Sequence, residues 1–304
     1  MPAQEFKNLG VIPYQRTGKE LRLASAPVGL PVGVSTYQDD PFFNTTVLMQ
    51  SQSPECGGFS LGFALEYLDG APKLSGSFSY AYEKTVDGVP DTPGTTIEAV
   101  GEAAQNAGSC LYDLFPDDGT QEPFTAATPF SEASPEAKSD GLLKAGWIKV
   151  YLDDLSWQGI QNAILKYKVV LVEAKVGNEW WTSQYGKVIP VGQTSWNKED
   201  ILPIKPPATV IDSHFFVLGG RFNPTEIWFA NSWSPEWGAA GFGYFGPDYI
   251  PFIQNAFILY KVPPSVQLIQ NHQQLTPIEK TSLIQQIIND LEGIVTDIKA
   301  EIKS

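Results

Sequence analysis

Helix-like patterning fills the first half of this chain and strand-like patterning the second, and that division constrains the fold more than any other feature. Apolar residues recur at helical spacing after Cys56 (Phe59, Phe63, Leu65, Tyr67, Leu68), and Asp69-Gly70 marks a stop. Further helices are expected over Ser77–Lys84 and Thr96–Ala107, with 86–94 as the loop between them. Beyond residue 146, β-rich runs predict strands at Trp147–Leu152, Val169–Val176, His214–Gly220, Ile227–Ala230, Gly243–Phe245 and Ala256–Lys261. A helix, Trp157–Tyr167, falls between the first two strands. The polar, Pro-, Thr- and Ser-rich stretch from Asp117 to Asp140 reads as a surface loop or insertion. The fold class is α+β. A helical half packed on a β half leaves a cleft between them, which is where a substrate site belongs.

Two residues facing that cleft carry chemistry. Cys56 follows the polar, Pro-containing loop Gln50-Ser51-Gln52-Ser53-Pro54-Glu55 and stands at or near a helix N-terminus. The helix dipole and the unpaired N–H groups there favour a thiolate. A nucleophilic cysteine needs a histidine as base, and the chain has two. His272 lies in the polar run Gln270-Asn271-His272-Gln273-Gln274 and looks solvated. His214 lies in the apolar, β-rich run Val210–Gly220. One turn later a second strand ends in Asn231, so strand pairing brings His214 and Asn231 together. Cys, His and Asn in that chain order match the arrangement of papain-type peptidases. The second cysteine, Cys110, has no nearby base and reads as structural.

The motifs around these residues make the resemblance explicit. Gln50, five residues, Cys56, then Phe59-Ser60 resembles the papain-family signature of an oxyanion-hole glutamine, the nucleophile and its helix. Asn231-Ser232-Trp233, followed by Trp237-Gly238 and Gly241-Phe242, resembles that family's Asn-Ser-Trp…Trp-Gly…Gly-aromatic block. Leu74-Ser75 with Tyr80, the stretch from Gly94 to Pro116, and the helix and strand from Ile160 to Val176 fit the same template, and the likeness to bacterial or phage-type members runs from about Leu30 to Val262. It implies a helical lobe, a β-barrel-like lobe and an active-site cleft between them. It also implies Cys56 as nucleophile, His214 as base, Asn231 as the group orienting the imidazole, Trp233 as its shield and Gln50 as an oxyanion donor. The substrate would be a peptide or protein, with no metal or organic cofactor. Gly57 stands where the family commonly has Trp, which alters the cleft wall. Ser53 stands where the family has a disulfide-forming Cys. The Cys–His interval is a little longer than the family's roughly 130–150 residues.

Composition narrows the alternatives. A net charge of −14 disfavours nucleic acid and acidic membranes as partners. No apolar run has the length of a membrane span and the first residues lack a signal-peptide core, so a cytoplasmic or particle-associated (virion included) location is expected. Residues 1–29 form a basic-leaning extension, 30–262 the peptidase-like domain, and 263–304 a linker and amphipathic helix. Thr276-Pro277-Ile278-Glu279 is a capping box with Pro at the first helical position. Ile284, Ile288, Leu291, Val295, Ile298 and Ile302 then form a heptad seam. Its 276–303 helix suits coiled-coil homo-oligomerisation or docking to a larger assembly. Three functions fit the sequence: a cysteine peptidase, a papain-fold binding module of a phage or bacterial particle, and a thiol amidase or acyl transferase acting on cell-wall peptides.

Overall fold

The computed structural model describes residues 10–13, 20–23, 40–51, 53–117, 127–180 and 203–261. Five α-helices occur among them: α1 (Cys56–Asp69), α2 (Gly76–Val86), α3 (Ile97–Asn106), α4 (Pro135–Leu143) and α5 (Trp157–Tyr167). Seven strands accompany them: β1 (Arg22–Leu23), β2 (Trp147–Leu152), β3 (Val169–Gly177), β4 (Val210–Asn223), β5 (Glu226–Ala230), β6 (Phe242–Phe245) and β7 (Ile253–Lys261). The heptad seam at 276–303, and with it the coiled-coil expectation, lies outside the described residues.

Helix α1 is the axis of the fold. Every residue from Cys56 to Glu66 is buried, so its sequence is apolar or small all round rather than on one stripe. Glycine makes the close packing feasible. A Cβ at position 58 would fall 2.2 Å from the Gly76 carbonyl oxygen at the start of α2. The helix ends where Gly70 takes φ 63, the left-handed conformation in which glycine is cheapest.

The strands form one sheet in the order β1-β2-β7-β3-β4-β5-β6. Every pair is antiparallel except β1 with β2. The expected β-barrel-like lobe is therefore corrected to an open sheet. Among the described residues its two ends do not meet. On one side β1 covers β2, and on the other Ile204 bridges β6 at Phe245. Side chains alternate across the sheet as strand geometry requires. Val169, Leu171, Phe215, Val217, Phe257 and Leu259 join the core shared with α1 and α3. Val170, Val172, Phe216, Leu218 and Ile258 join a second core with Ile160, Ala163 and Ile164 of α5. The sheet thus runs between two helical layers.

One segment differs from expectation, and another shows where the chain's first residues meet the body. Part of the 117–140 stretch is helical: α4 starts at an N-cap Ser134 that accepts from Ala137 N at 3.0 Å, with Pro135 in the first turn. The Ser-Pro-Glu triplet carries that signal, and the surrounding Pro/Thr/Ser composition masks it. In the 1–29 extension, two pieces are built into the body. β1 pairs with β2 at Tyr151 and Leu152. Val11 forms a parallel bridge with Thr95, with Ile12 N donating to Thr95 O and Thr95 N to Gly10 O, both at 2.7 Å.

Candidate active site

Cys56 is the first residue of α1, as the loop-to-helix transition predicts. The other four helices each have a Ser or Thr N-cap accepting from the first turn: Ser75, Thr96, Ser134 and Ser156. Helix α1 has Glu55 at that place and no side-chain cap hydrogen bond. A cap contributes about 1 kcal/mol. Forgoing it leaves first-turn N–H groups directed at whatever charge forms on or beside Cys56.

The thiol is fully buried and free, as is that of Cys110. Burial pushes the Cys56 thiol above its ordinary range. The Phe215 backbone amide opposes this, the charges of Glu83 and Asp212 reinforce it, and the Gly57 amide opposes it weakly. The Phe215 contact locates Cys56 against β4, one residue from His214. Burial likewise pushes Cys110 up to about 12, with Asp140 reinforcing this and Lys144 opposing it.

His214 is fully buried on β4. By alternation it shares a face with Phe216, opposite to Phe215. Its Nε2 meets Asn231 Oδ1 at 2.8 Å, and Asn231 Oδ1 also accepts the Ser232 N–H at 2.8 Å. The backbone donor identifies that atom of the amide as the oxygen. Nε2 therefore carries the proton, and Nδ1 is the basic nitrogen of the neutral ring. Aromatic rings enclose the imidazole. Trp233 lies 5.0 Å away between centroids, and Trp180 stands edge-on at 6.1 Å. Trp180 is held by its own N–H to the Tyr249 hydroxyl (2.9 Å), which donates to Lys175 O (2.7 Å). Neither Trp180 nor Tyr249 is singled out by the motifs, because a tryptophan after a strand has no spacing signature of its own.

Gln50 is buried in the loop before α1. Its Nε2 donates to Ser53 O at 2.8 Å, and its Oε1 accepts from Ser232 Oγ. Its backbone N donates to Ser232 O at 2.7 Å. One of the two amide hydrogens is thereby used. The next residue, Ser51, has φ 53, a left-handed conformation costing roughly 1–2 kcal/mol for a residue with a Cβ. The turn is held by Ser53, whose N–H and hydroxyl both donate to Gln50 O at 3.0 and 2.7 Å. Asn231-Ser232 thus touches both the imidazole and the Gln50 amide. Among the described residues no group of His, Cys, Asp and Glu is gathered as metal ligands would be.

No protein-family model matches the sequence, and no curated protein sequence matches it. Solved structures match in fold. Xylellain, a cysteine protease from Xylella fastidiosa, superposes with a TM-score of 0.63 at 18% identity, covering 84% of this chain and 96% of its own. The fold is papain-like. Digestive procathepsin L2 proteinase from Tenebrio molitor larval midgut gives 0.58 at 17% identity, over 86% of this chain and 81% of that one. The proCathepsin B S9 of Trypanosoma congolense gives 0.55 at 11%, over 83% and 87%. Identities this low speak for the papain-like fold alone.

The N-terminal residues bear on access. Gly10 has φ 93 and lies so close to the Cys56 loop that a Cβ on it would come within 2.1 Å of the Pro54 carbonyl oxygen. Together with the Val11–Thr95 bridge, this clamps the chain over the segment two residues before Cys56. Deleting residues 1–13 is expected to raise the alkylation rate of Cys56 by iodoacetamide about tenfold or more, because it removes two backbone hydrogen bonds and the packing of Gly10 against Pro54 that together hold the loop before Cys56. Peptide-mapped mass spectrometry over time checks this; an unchanged rate would show that cover over Cys56 comes from elsewhere.

Proposed function

We propose that this chain is a cysteine peptidase that hydrolyses peptide bonds through a thioester on Cys56. His214 takes the Cys56 proton on Nδ1, and the thiolate attacks the scissile carbonyl carbon. The Gln50 Nε2–H and the Cys56 backbone N–H stabilise the oxyanion. As the C–N bond breaks, the imidazolium returns its proton to the leaving amine. His214 then deprotonates a water, which attacks the thioester; the acid product leaves and the thiol is restored. Asn231 fixes the ring in the tautomer that makes Nδ1 the base, and Trp233 shields that bond from water. In the same reading residues 30–262 form the peptidase domain, and the 276–303 segment serves self-association or docking.

The observation that carries this reading is the seam between α1 and β4. An uncapped helix N-terminus presents Cys56 to the strand residue next to a histidine whose Nε2 is held at 2.8 Å by an asparagine oxygen. The papain-like fold of cysteine proteases supports it. The test is a mixed peptide library and a set of peptidoglycan fragments, each incubated with the full chain and with the chain lacking residues 1–13. Peptide cleavage that disappears in Cys56→Ala is the expected result. Release from peptidoglycan fragments alone moves the substrate to cell-wall amides, and cleavage of neither by either form overturns the reading.

A further inference from the structure

A second acidic group stands under the nucleophile. Glu83 of α2 is fully buried. Its Oε2 lies 2.9 Å from where a Cβ on Gly57 would be, with Thr95 Cγ2 at 2.5 Å and Val100 Cγ2 at 2.9 Å from the same point. The carboxyl therefore fills the space beneath the first turn of α1, beside the residue that follows Cys56. Gly57 and Glu83 fit as a pair: any side chain at 57 would collide with this group. No backbone amide or cation donates to the carboxyl among the described residues; the Thr95 hydroxyl is the polar group set against it. The lysine beside it, Lys84, is committed elsewhere, to Asp87 and to the carbonyls of Val89, Thr92 and Gly94.

A buried carboxyl with no ion-pair partner is a costly way to fill space; an apolar side chain of that size would do so without the desolvation cost. Its position gives it a consequence. The first turn of α1 favours negative charge at Cys56. A carboxylate directly beneath that turn would cancel part of this preference, whereas a neutral acid leaves it intact. Its effect reaches the reaction through Cys56. We propose that Glu83 is a positioning residue for the nucleophile: as a neutral acid it permits a thiolate at Cys56, and on ionising it suppresses that thiolate and sets an alkaline limit on reactivity.

The sign follows from the surroundings. Burial holds the Glu83 proton up to about 8, opposed by Thr95; Asp87 raises it further and Lys84 lowers it. The group is neutral at pH 7 and acquires charge as the pH passes about 8. The other titratable groups facing the pair are Glu55, Tyr80 and Asp212 and, in the proposed mechanism, the His214 imidazole. Glu55 accepts from the Ser77 hydroxyl at 2.7 Å, and Tyr80 OH is engaged with Gly94.

The proposal rests on Cys56 being reactive and needs no substrate, so its test is separate from that of peptidase activity. The rate of Cys56 alkylation by neutral iodoacetamide is measured from pH 6 to 9.5 on the full chain, for wild type, Glu83→Gln and Glu55→Gln. A thiol normally gains reactivity with pH until it is fully ionised. Wild type is expected to flatten or fall between pH 7.5 and 9. Glu83→Gln matches it at pH 6 and exceeds it about tenfold at pH 9, since one nearby unit charge shifts an ionisation by about a unit or more. Rates that agree within about twofold at pH 9, or the same change produced by Glu55→Gln instead, overturn the proposal. If the glutamine variant does not fold, or Cys56 does not alkylate, infrared spectroscopy decides it, taken on Glu66→Gln because burial also raises the Glu66 carboxyl, to about 7. A protonated buried carboxyl band present at pH 7 and lost with a midpoint near 8 supports the proposal. No carboxyl band lost between pH 7 and 9 overturns it.

Discussion

A peptide-like epoxide inhibitor of thiol peptidases is expected to form one covalent adduct per chain, on Cys56, and none on Cys56→Ala or His214→Ala. The two variants fail for different reasons. Cys56→Ala removes the only atom able to open the epoxide at that place. His214→Ala leaves the thiol but removes the group that takes its proton, and burial then holds the sulfur in its unreactive form. For hydrolysis both substitutions are expected to lower kcat by about 10⁴-fold or more, the usual cost of removing a member of a group that acts as a unit. Intact-mass spectrometry reads the adduct, and Cys110 supplies an internal control: equally buried in the fold, it should stay unlabelled in every variant. If Cys56 is untouched by the epoxide while iodoacetamide reaches it, sulfur and imidazole do not cooperate and the peptidase reading falls.

Much of the scaffold is legible in the sequence because it follows local rules. Strand β2 and helix α5 fall where alternation and helical spacing put them, at Trp147–Leu152 and Trp157–Tyr167. Helix α1 begins at Cys56 because a polar loop with Pro54 gives way to an apolar run there, and ends at Gly70 because glycine accepts a left-handed φ. The pairing of His214 with Asn231 was inferable from two strands separated by one turn, since antiparallel neighbours bring their residues together. What escaped depends on distant partners. Whether a sheet closes is decided by what covers its edges, and the pieces that cover these, Arg22–Leu23 and Ile204, are too short to show a period. The burial of Glu83 is also set at a distance: the glycine at position 57, on another helix, leaves room for its carboxyl inside. The clamp of Gly10 over Pro54 is likewise a contact between chain segments with no pattern linking them.

Replacing Gln50 by Ala is expected to lower kcat for peptide hydrolysis about 10²- to 10³-fold, the usual effect of losing one oxyanion donor, while leaving the rate of Cys56 alkylation by iodoacetamide nearly unchanged. The contrast follows from charge. Attack on a peptide carbonyl builds negative charge on oxygen that, in the proposed mechanism, the Gln50 Nε2–H meets, whereas displacement of iodide builds none on a carbonyl. A merely structural role predicts something else. Gln50 also anchors the turn before α1, through Ser53 O, Ser232 Oγ and Ser232 O. Loss of that anchor would loosen the loop delivering Cys56 and change both rates together, with KM. Ser232→Ala separates the two contributions further, because it removes a hydrogen bond to the amide without removing the amide. Its expected effect on kcat is smaller, about tenfold or less, the scale of one neutral hydrogen bond. Parallel losses of hydrolysis and alkylation in Gln50→Ala would assign the residue to the loop rather than to the oxyanion, and the Cys56 backbone N–H on its uncapped helix would then be the principal donor left at the site.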